Sequence, residues 1–317
     1  MAIGDIAGLK MGPATRDAFG DALVEIAASR PDIVVVDADL ANSTMASKFQ
    51  KAFPDRFIEV GIAESNMIGV AGGLASCGKQ AWATSFSAFL LANAYDQIRL
   101  SVAYPRLNVK LVGSHGGISI GPDGPSQMSI EDIALSCALP GFTVIFPSDA
   151  AQTKEAVRVA SETDGPFFIR TGRPKTPVLY ESGSAFTLGK ANTLREGNDV
   201  TLIACGLMVP LCLDAAALLA GMGVSARVLD MATVKPIDED AIVKAARETK
   251  GIVVVDEHLL DGGLCSRVAL VTARKHPARM ACVALDNTFA ESGSPDDVLA
   301  KYGFTAKNVA DKAKSLL

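Results

Sequence analysis

Short apolar runs rich in β-branched residues alternate along the chain with stretches of helical period. In the first half these runs are Ile33-Val-Val-Val-Asp, Phe57-Ile-Glu-Val, Ala81-Trp-Ala-Thr-Ser, Val109-Lys-Leu-Val-Gly, Thr143-Val-Ile-Phe and Phe167-Phe-Ile-Arg. A second series begins at Val200-Thr-Leu-Ile-Ala and continues through Ala226-Arg-Val-Leu-Asp, Gly251-Ile-Val-Val-Val-Asp and Ala281-Cys-Val-Ala-Leu. Ahead of the first run, Ala18, Phe19, Ala22, Leu23, Ile26 and Ala27 fall at helical spacing, so the chain opens with an amphipathic helix. Strand runs followed by helical stretches predict an α/β fold with mainly parallel sheets covered by helices. Between the two series lie Pro177, several glycines and serines, and the polar turn Arg195-Glu-Gly-Asn-Asp. The pattern therefore predicts two domains, 1–178 and 199–317, joined by a linker over 179–198.

Two features break the apolar pattern. Glu64 stands where the run at Phe57 gives way to a small-residue helical stretch, Glu64-Ser-Asn-Met-Ile-Gly-Val-Ala-Gly-Gly. A carboxylate there points into the space at a strand's carboxyl end, where open α/β sheets bind ligands. Among so many apolar neighbours it needs a partner, so it either interacts with the helix terminus or meets a specific ligand atom. The second feature is the irregular stretch from Ser114 to Met128, which carries His115, Asp123 and Gln127 directly after a strand run. Loops of that length inside a domain are usually functional.

Composition narrows the chemistry. The 317 residues suffice for two domains, and 49% hydrophobic with 21% charged residues describes a soluble globular protein. A net charge of −5 gives no global electrostatic case for nucleic acid or an anionic membrane surface, so an anionic substrate must be held by local arginines. The first residues lack a signal-peptide core and no apolar stretch is long enough to span a bilayer. The six cysteines are scattered singly with no Cys-x-x-Cys, as expected of reduced thiols in a cytoplasmic protein. Three dispersed histidines suggest no metal cluster; His258 and His276 read as surface or packing residues.

Taken together, Glu64, the aromatic pair of Thr84-Ser-Phe-Ser-Ala-Phe89 and the 115–127 loop resemble the pyrimidine-binding domain of transketolases, which use thiamine diphosphate. Further matching segments are Asp39-Leu-Ala-Asn-Ser43-Thr, Pro54-Asp-Arg-Phe-Ile-Glu, Tyr95-Asp-Gln-Ile-Arg and Phe168-Ile-Arg-Thr-Gly-Arg173-Pro. Val234-Lys-Pro-Ile-Asp and Asp256-Glu-His-Leu-Leu-Asp-Gly-Gly extend the likeness into the second half. The family's diphosphate domain carries a Gly-Asp-Gly motif and a downstream asparagine that hold the metal and the diphosphate. This sequence contains no Gly-Asp-Gly. The chain thus resembles the carboxy-terminal half of a split transketolase. The likeness implies a partner chain supplying the diphosphate site with Mg2+ or Ca2+, in an α2β2 assembly, and no metal held by this chain.

The resemblance also implies roles. Glu64 would share a proton with the ring nitrogen of the cofactor's aminopyrimidine, and Phe86 and Phe89 would line and stack on that ring. Asp39 corresponds to an aspartate close to the cofactor. Arg16, Ser43, His115 and Arg173 resemble residues that hold a sugar phosphate, which guanidinium forks suit. Asp123 and Gln127 match residues meeting substrate hydroxyls. His115 and Gln127 are also expected to assist the chemistry, although an amide at 127 cannot titrate near neutral pH.

Three positions qualify the resemblance: Gln127, where bacterial and yeast members have histidine and animal members glutamine, Ala92 for a larger residue, and Gly172 for serine. The expected activity is transfer of a two-carbon ketol unit from a ketose phosphate to an aldose phosphate. Two alternatives stay open at this level: the β subunit of a 2-oxo acid dehydrogenase, and a non-catalytic partner of a full-length transketolase. The second half shows no catalytic constellation and is assigned to assembly.

Overall fold

Every apolar run read from the sequence forms a strand in the computed structural model, which describes residues 3–181, 183 and 186–317. Ser182, Ser184 and Ala185 of the expected linker lie outside the described residues. In chain order the strands are β1 (Met11–Ala14), β2 (Ile33–Asp37), β3 (Phe57–Glu59), β4 (Gln80–Phe86), β5 (Val109–Ser114), β6 (Thr143–Ile145), β7 (Phe167–Thr171) and β8 (Lys175–Pro177). They continue with β9 (Asn192–Arg195), β10 (Val200–Ala204), β11 (Ala226–Asp230), β12 (Thr233–Lys235), β13 (Ile252–Leu259) and β14 (Met280–Leu285).

The first sheet has the order β12-β6-β7-β5-β4-β2-β3 and the second β14-β13-β10-β11-β9. Within these two sheets pairing is parallel except for the edge strands β12 and β9, which run antiparallel to β6 and β11, and β1 pairs antiparallel with β8 in a separate two-stranded sheet. Parallel strands need crossovers that cover both faces, which is why β2, β4, β5, β10 and β11 are buried along their whole length. The opening helix, Thr15–Ala27, buries Phe19, Ala22 and Leu23 in one core layer with Trp82 and Phe167.

The strands that the apolar pattern did not reveal are short. β9 falls inside the stretch 179–198, so part of the expected linker belongs to the second sheet. β12 leaves the second sheet and adds to the edge of the first, with Thr233 opposite Ile145. Tyr180 pins the crossing between the sheets. Its hydroxyl donates to Asp230 Oδ2 at 2.6 Å, while Asp149 Oδ2 accepts from the backbone N–H groups of Leu179 at 2.8 Å and Tyr180 at 2.9 Å. Burial pushes Asp230 up to about 6. Among the described residues, no helix is long and apolar enough to cross a membrane.

Candidate active site

Helix Glu64–Ser76 starts at Glu64, after a turn tied to the loop that follows β2 by one carboxylate: Glu59 Oε1 accepts from the N–H groups of Asp39 at 2.9 Å and Gly61 at 2.8 Å. Gly61 takes φ 73°, a value that glycine tolerates without strain. The helix approaches closely at Gly72, where a Cβ would lie 2.7 Å from the carbonyl oxygen of Ser101. Glu64 is thereby held 5% exposed, and its carboxylate turns toward β4, where Oε1 accepts from Ser85 Oγ at 2.9 Å. A buried carboxylate with a neutral hydroxyl partner retains capacity to bind a further donor.

Phe86 closes β4, and Phe89 opens a wide helical turn, Phe89–Asn93. Their rings stack with centroids 5.7 Å apart at 23°. Phe86 stacks in turn on His115, centroids 4.1 Å apart at 29°.

His115 follows β5 with φ 63° and is 3% exposed. Its Nε2 lies 3.3 Å from Arg16 Nη1 and its Nδ1 lies 2.7 Å from Ser114 Oγ. A guanidinium has no acceptor, so Nε2 must accept and Nδ1 must carry the proton, donating to Ser114. Burial, together with the charges of Arg16 and Arg173, pushes the imidazole down to about 3. His115 is therefore a neutral hydrogen-bonding group near pH 7, and proton transfer through its imidazolium is disfavoured.

Arg16, on the first turn of the opening helix, also donates through Nη1 to the carbonyl oxygen of Ser43 at 3.0 Å. Its Nε is buried without a partner, as is the hydroxyl of Thr171. Arg173 donates to the carbonyl oxygen of Ile120 at 3.1 Å and pairs with Asp123 at 3.3 Å. Burial and the nearby charge of Arg173 lower the pKa of Arg16, although Asp17 opposes the shift. Two guanidiniums that repel one another, a neutral imidazole and an unpartnered N–H form a place suited to an anion.

The structure thus brings Arg16, Ser43, His115, Phe86 and Phe89 together, with Arg173 and Asp123 alongside. Asp39 and Gln127 are less engaged. Asp39 is exposed at φ 61° with its N–H on Glu59, and Gln127 accepts from Ser126 Oγ at 2.7 Å. Among the described residues, no group of three or more His, Cys, Asp and Glu side chains could hold a metal ion.

Sequence reading missed several supports of this site. Asp37, at the end of β2, accepts from Thr84 Oγ1 and from the Leu40 N–H at 2.8 Å, shaping the turn that carries Asp39 and Ser43. Burial pushes it up to about 6. An acid ending an apolar run was the available signal. Ser85 and Ser114 carry no such signal, because an isolated serine gains meaning only from its neighbours in space. The second sheet, expected to serve assembly, also contributes to the surroundings of the 115–127 loop. Ile118, Ile120, Met128 and Ile130 are buried in the same core as Val200 and Leu202. His258 is a packing residue there, fully buried, with the Ala134 N–H donating to its Nε2 at 3.4 Å.

The sequence matches two family models: the transketolase pyrimidine-binding domain over residues 11–178 and the transketolase C-terminal domain over residues 189–309. It is 41% identical over 300 residues to a putative transketolase C-terminal section of Methanocaldococcus jannaschii, covering 94% of each chain. It is 42% identical to a 6-deoxy-6-sulfo-D-fructose transketolase subunit of a Clostridium species, covering 94% of this chain and 92% of the relative. Among solved structures, a split-gene transketolase described as an inactive β4 tetramer superposes with a TM-score of 0.90 at 44% identity, covering 96% of this chain and 99% of that one. With its two domain types, its pairing of sheets and its relatives in agreement, the chain belongs to the transketolase family.

Proposed function

We propose that this chain is the β-type subunit of a split, thiamine diphosphate-dependent transketolase. It would move a two-carbon ketol unit from a ketose bearing a terminal anion to an aldose phosphate. The observation that carries the reading is Glu64: buried at a strand-to-helix junction, bonded to a neutral serine, and close in the fold to a stacked aromatic pair. Such a site fits an aminopyrimidine, since the carboxylate has capacity left for one ring nitrogen and Phe89, only partly buried, offers a face. When bound, thiamine diphosphate supplies an acidic thiazolium carbon that can add to a carbonyl and carry the transferred fragment.

The chain's own residues would do the rest. Glu64 holds the proton at the pyrimidine nitrogen and so favours the tautomer that deprotonates the thiazolium. Phe86 and Phe89 would keep water from the ring, and Asp39 would lie close to the cofactor. Arg16, Ser43, His115 and Arg173 hold the substrate's anionic end, with His115 acting as a neutral hydrogen-bonding group. Asp123 and Gln127 meet substrate hydroxyls.

A second polypeptide of the amino-terminal type would supply the diphosphate site with its divalent metal, most simply as α2β2. Support comes from relatives of nearly the same length that are described as sections or subunits, and from a solved homologue described as an inactive β4 tetramer of a split-gene transketolase. The test is to assay xylulose 5-phosphate with ribose 5-phosphate, and a sulfonated ketose in parallel, using the chain alone and with such a partner. Turnover only in the mixture is expected. Turnover by this polypeptide alone would sink the split-subunit reading, and failure of the mixture with every ketose would sink the transketolase reading.

A further inference from the structure

We infer that the C-terminal domain positions the substrate loop, with Glu257 as the positioning residue; the inference rests on the transketolase reading above. Glu257 lies near the carboxyl end of β13, and its two carboxylate oxygens face different elements of the first domain. Oε2 accepts from the backbone N–H of Ser119 at 2.9 Å, four residues beyond His115. Oε1 pairs with Arg170 Nη2 at 2.9 Å. Arg170 passes the constraint on, because its Nη1 bonds Asp132 Oδ1 at 3.2 Å. Asp132 Oδ2 in turn accepts from the hydroxyl of Ser87 at 2.9 Å, and Ser87 sits between Phe86 and Phe89 in sequence. One buried carboxylate of the C-terminal domain thus holds the loop after His115 directly, whereas the aromatic pair lies further on, beside a Ser87–Asp132 bond that does not involve Glu257.

Packing leaves the loop little freedom to adopt another position. A Cβ at Gly117 would lie 2.2 Å from Glu257 Cδ and 2.3 Å from Arg170 Nη2, so the backbone there rests directly on the ion pair. Further along, the Leu259 N–H donates to the carbonyl oxygen of Ile130 at 2.8 Å. Ile118, Ile120, Met128 and Ile130 complete the C-terminal domain's core, so the loop's apolar side is committed to that domain while its polar side carries His115, Asp123 and Gln127. His115 itself sits at φ 63°, a conformation that a non-glycine residue keeps only when its surroundings impose it. Without the Glu257 carboxylate, the Ser119 N–H loses its acceptor and Arg170 loses one of two anionic partners.

Glu64 is outside this chain of contacts. Loss of Glu257 should therefore impair substrate handling and leave cofactor activation intact, whereas general unfolding would impair both. In the isolated chain, hydrogen exchange of the Ser119 amide should accelerate at least tenfold in Glu257→Ala with amides of β4 unchanged. In the complex with the amino-terminal-type subunit, kcat/KM for the ketose should fall roughly 10–100-fold, the scale of a small misplacement of binding groups. Exchange of the cofactor's thiazolium proton should stay within twofold. Glu257→Gln keeps the acceptor for Ser119 and loses the charge facing Arg170, so it should retain more kcat/KM than the alanine variant. It also serves as the test if Glu257→Ala fails to fold, with at least a threefold loss of kcat/KM expected at unchanged proton exchange. The inference is overturned if both variants keep wild-type kcat/KM and Ser119 protection, or if kcat/KM and proton exchange fall in parallel. A wild-type complex that neither turns over nor exchanges its cofactor proton would instead refute the functional reading beneath it.

Discussion

His115 makes acid sensitivity a direct probe of the site. Its imidazole is buried and faces two guanidiniums, which lowers its pKa from 6.5 to about 3. Above pH 6.5 the side chain is neutral in both folded and unfolded chains and contributes no pH dependence. Below that value the unfolded chain takes up a proton that the folded chain refuses, so stability is lost as pH falls toward 3 and levels off beneath it. At pH 5, about 1.5 units below the unfolded pKa, the loss is about 2 kcal/mol relative to pH 7.5. Asp37 and Asp230, both raised to about 6, act in the opposite direction, since their folded forms bind protons more readily as pH falls. Their effects are common to wild type and variant and cancel in the difference.

The variant is His115→Asn, because asparagine tolerates the positive φ and can still meet Ser114 or Arg16. Urea unfolding of the isolated chain at pH 7.5 and pH 5, at fixed protein concentration, should show wild type losing about 2 kcal/mol more than the variant over that interval. Equal losses would mean that the imidazole is protonated in the folded chain, and the neutral, hydrogen-bonding role assigned to it would be wrong.

Other expectations concern single side chains. Glu64→Gln keeps an acceptor for Ser85, so it should fold normally while cofactor proton exchange in the assembled enzyme falls by roughly 10²–10⁴; normal exchange would remove Glu64 from the mechanism. Arg16→Ala deletes a charged donor with a free N–H and should raise KM for a phosphorylated ketose by about 10–100-fold with a smaller effect on kcat. An unchanged KM would place the substrate's anion elsewhere. Tyr180→Phe removes the donor to Asp230 at the crossing between the sheets and should cost about 1–3 kcal/mol in denaturant unfolding. No loss would show that solvent or another donor replaces it.

The sequence by itself determined the α/β class, the long strands and the family. Buried parallel strands require continuous apolar runs, and a carboxylate at the end of one is conspicuous because burial is costly without a partner. Short edge strands such as β9 and β12 were illegible, since three or four residues carry no period and their pairing depends on which sheet lies nearby. The candidate site was marked in its residue types, since Glu64, Phe86, Phe89, His115 and the arginines each stand in a motif, and the fold places these side chains near one another. Tertiary structure decided their states. His115 is neutral because Arg16, distant in sequence, and the surrounding core penalise a second proton. Glu257 reads as one acid among many until β13 brings it against Ser119 and Arg170. Local pattern reports what a segment must bury, whereas charge state and loop position depend on neighbours that meet only when the chain has folded.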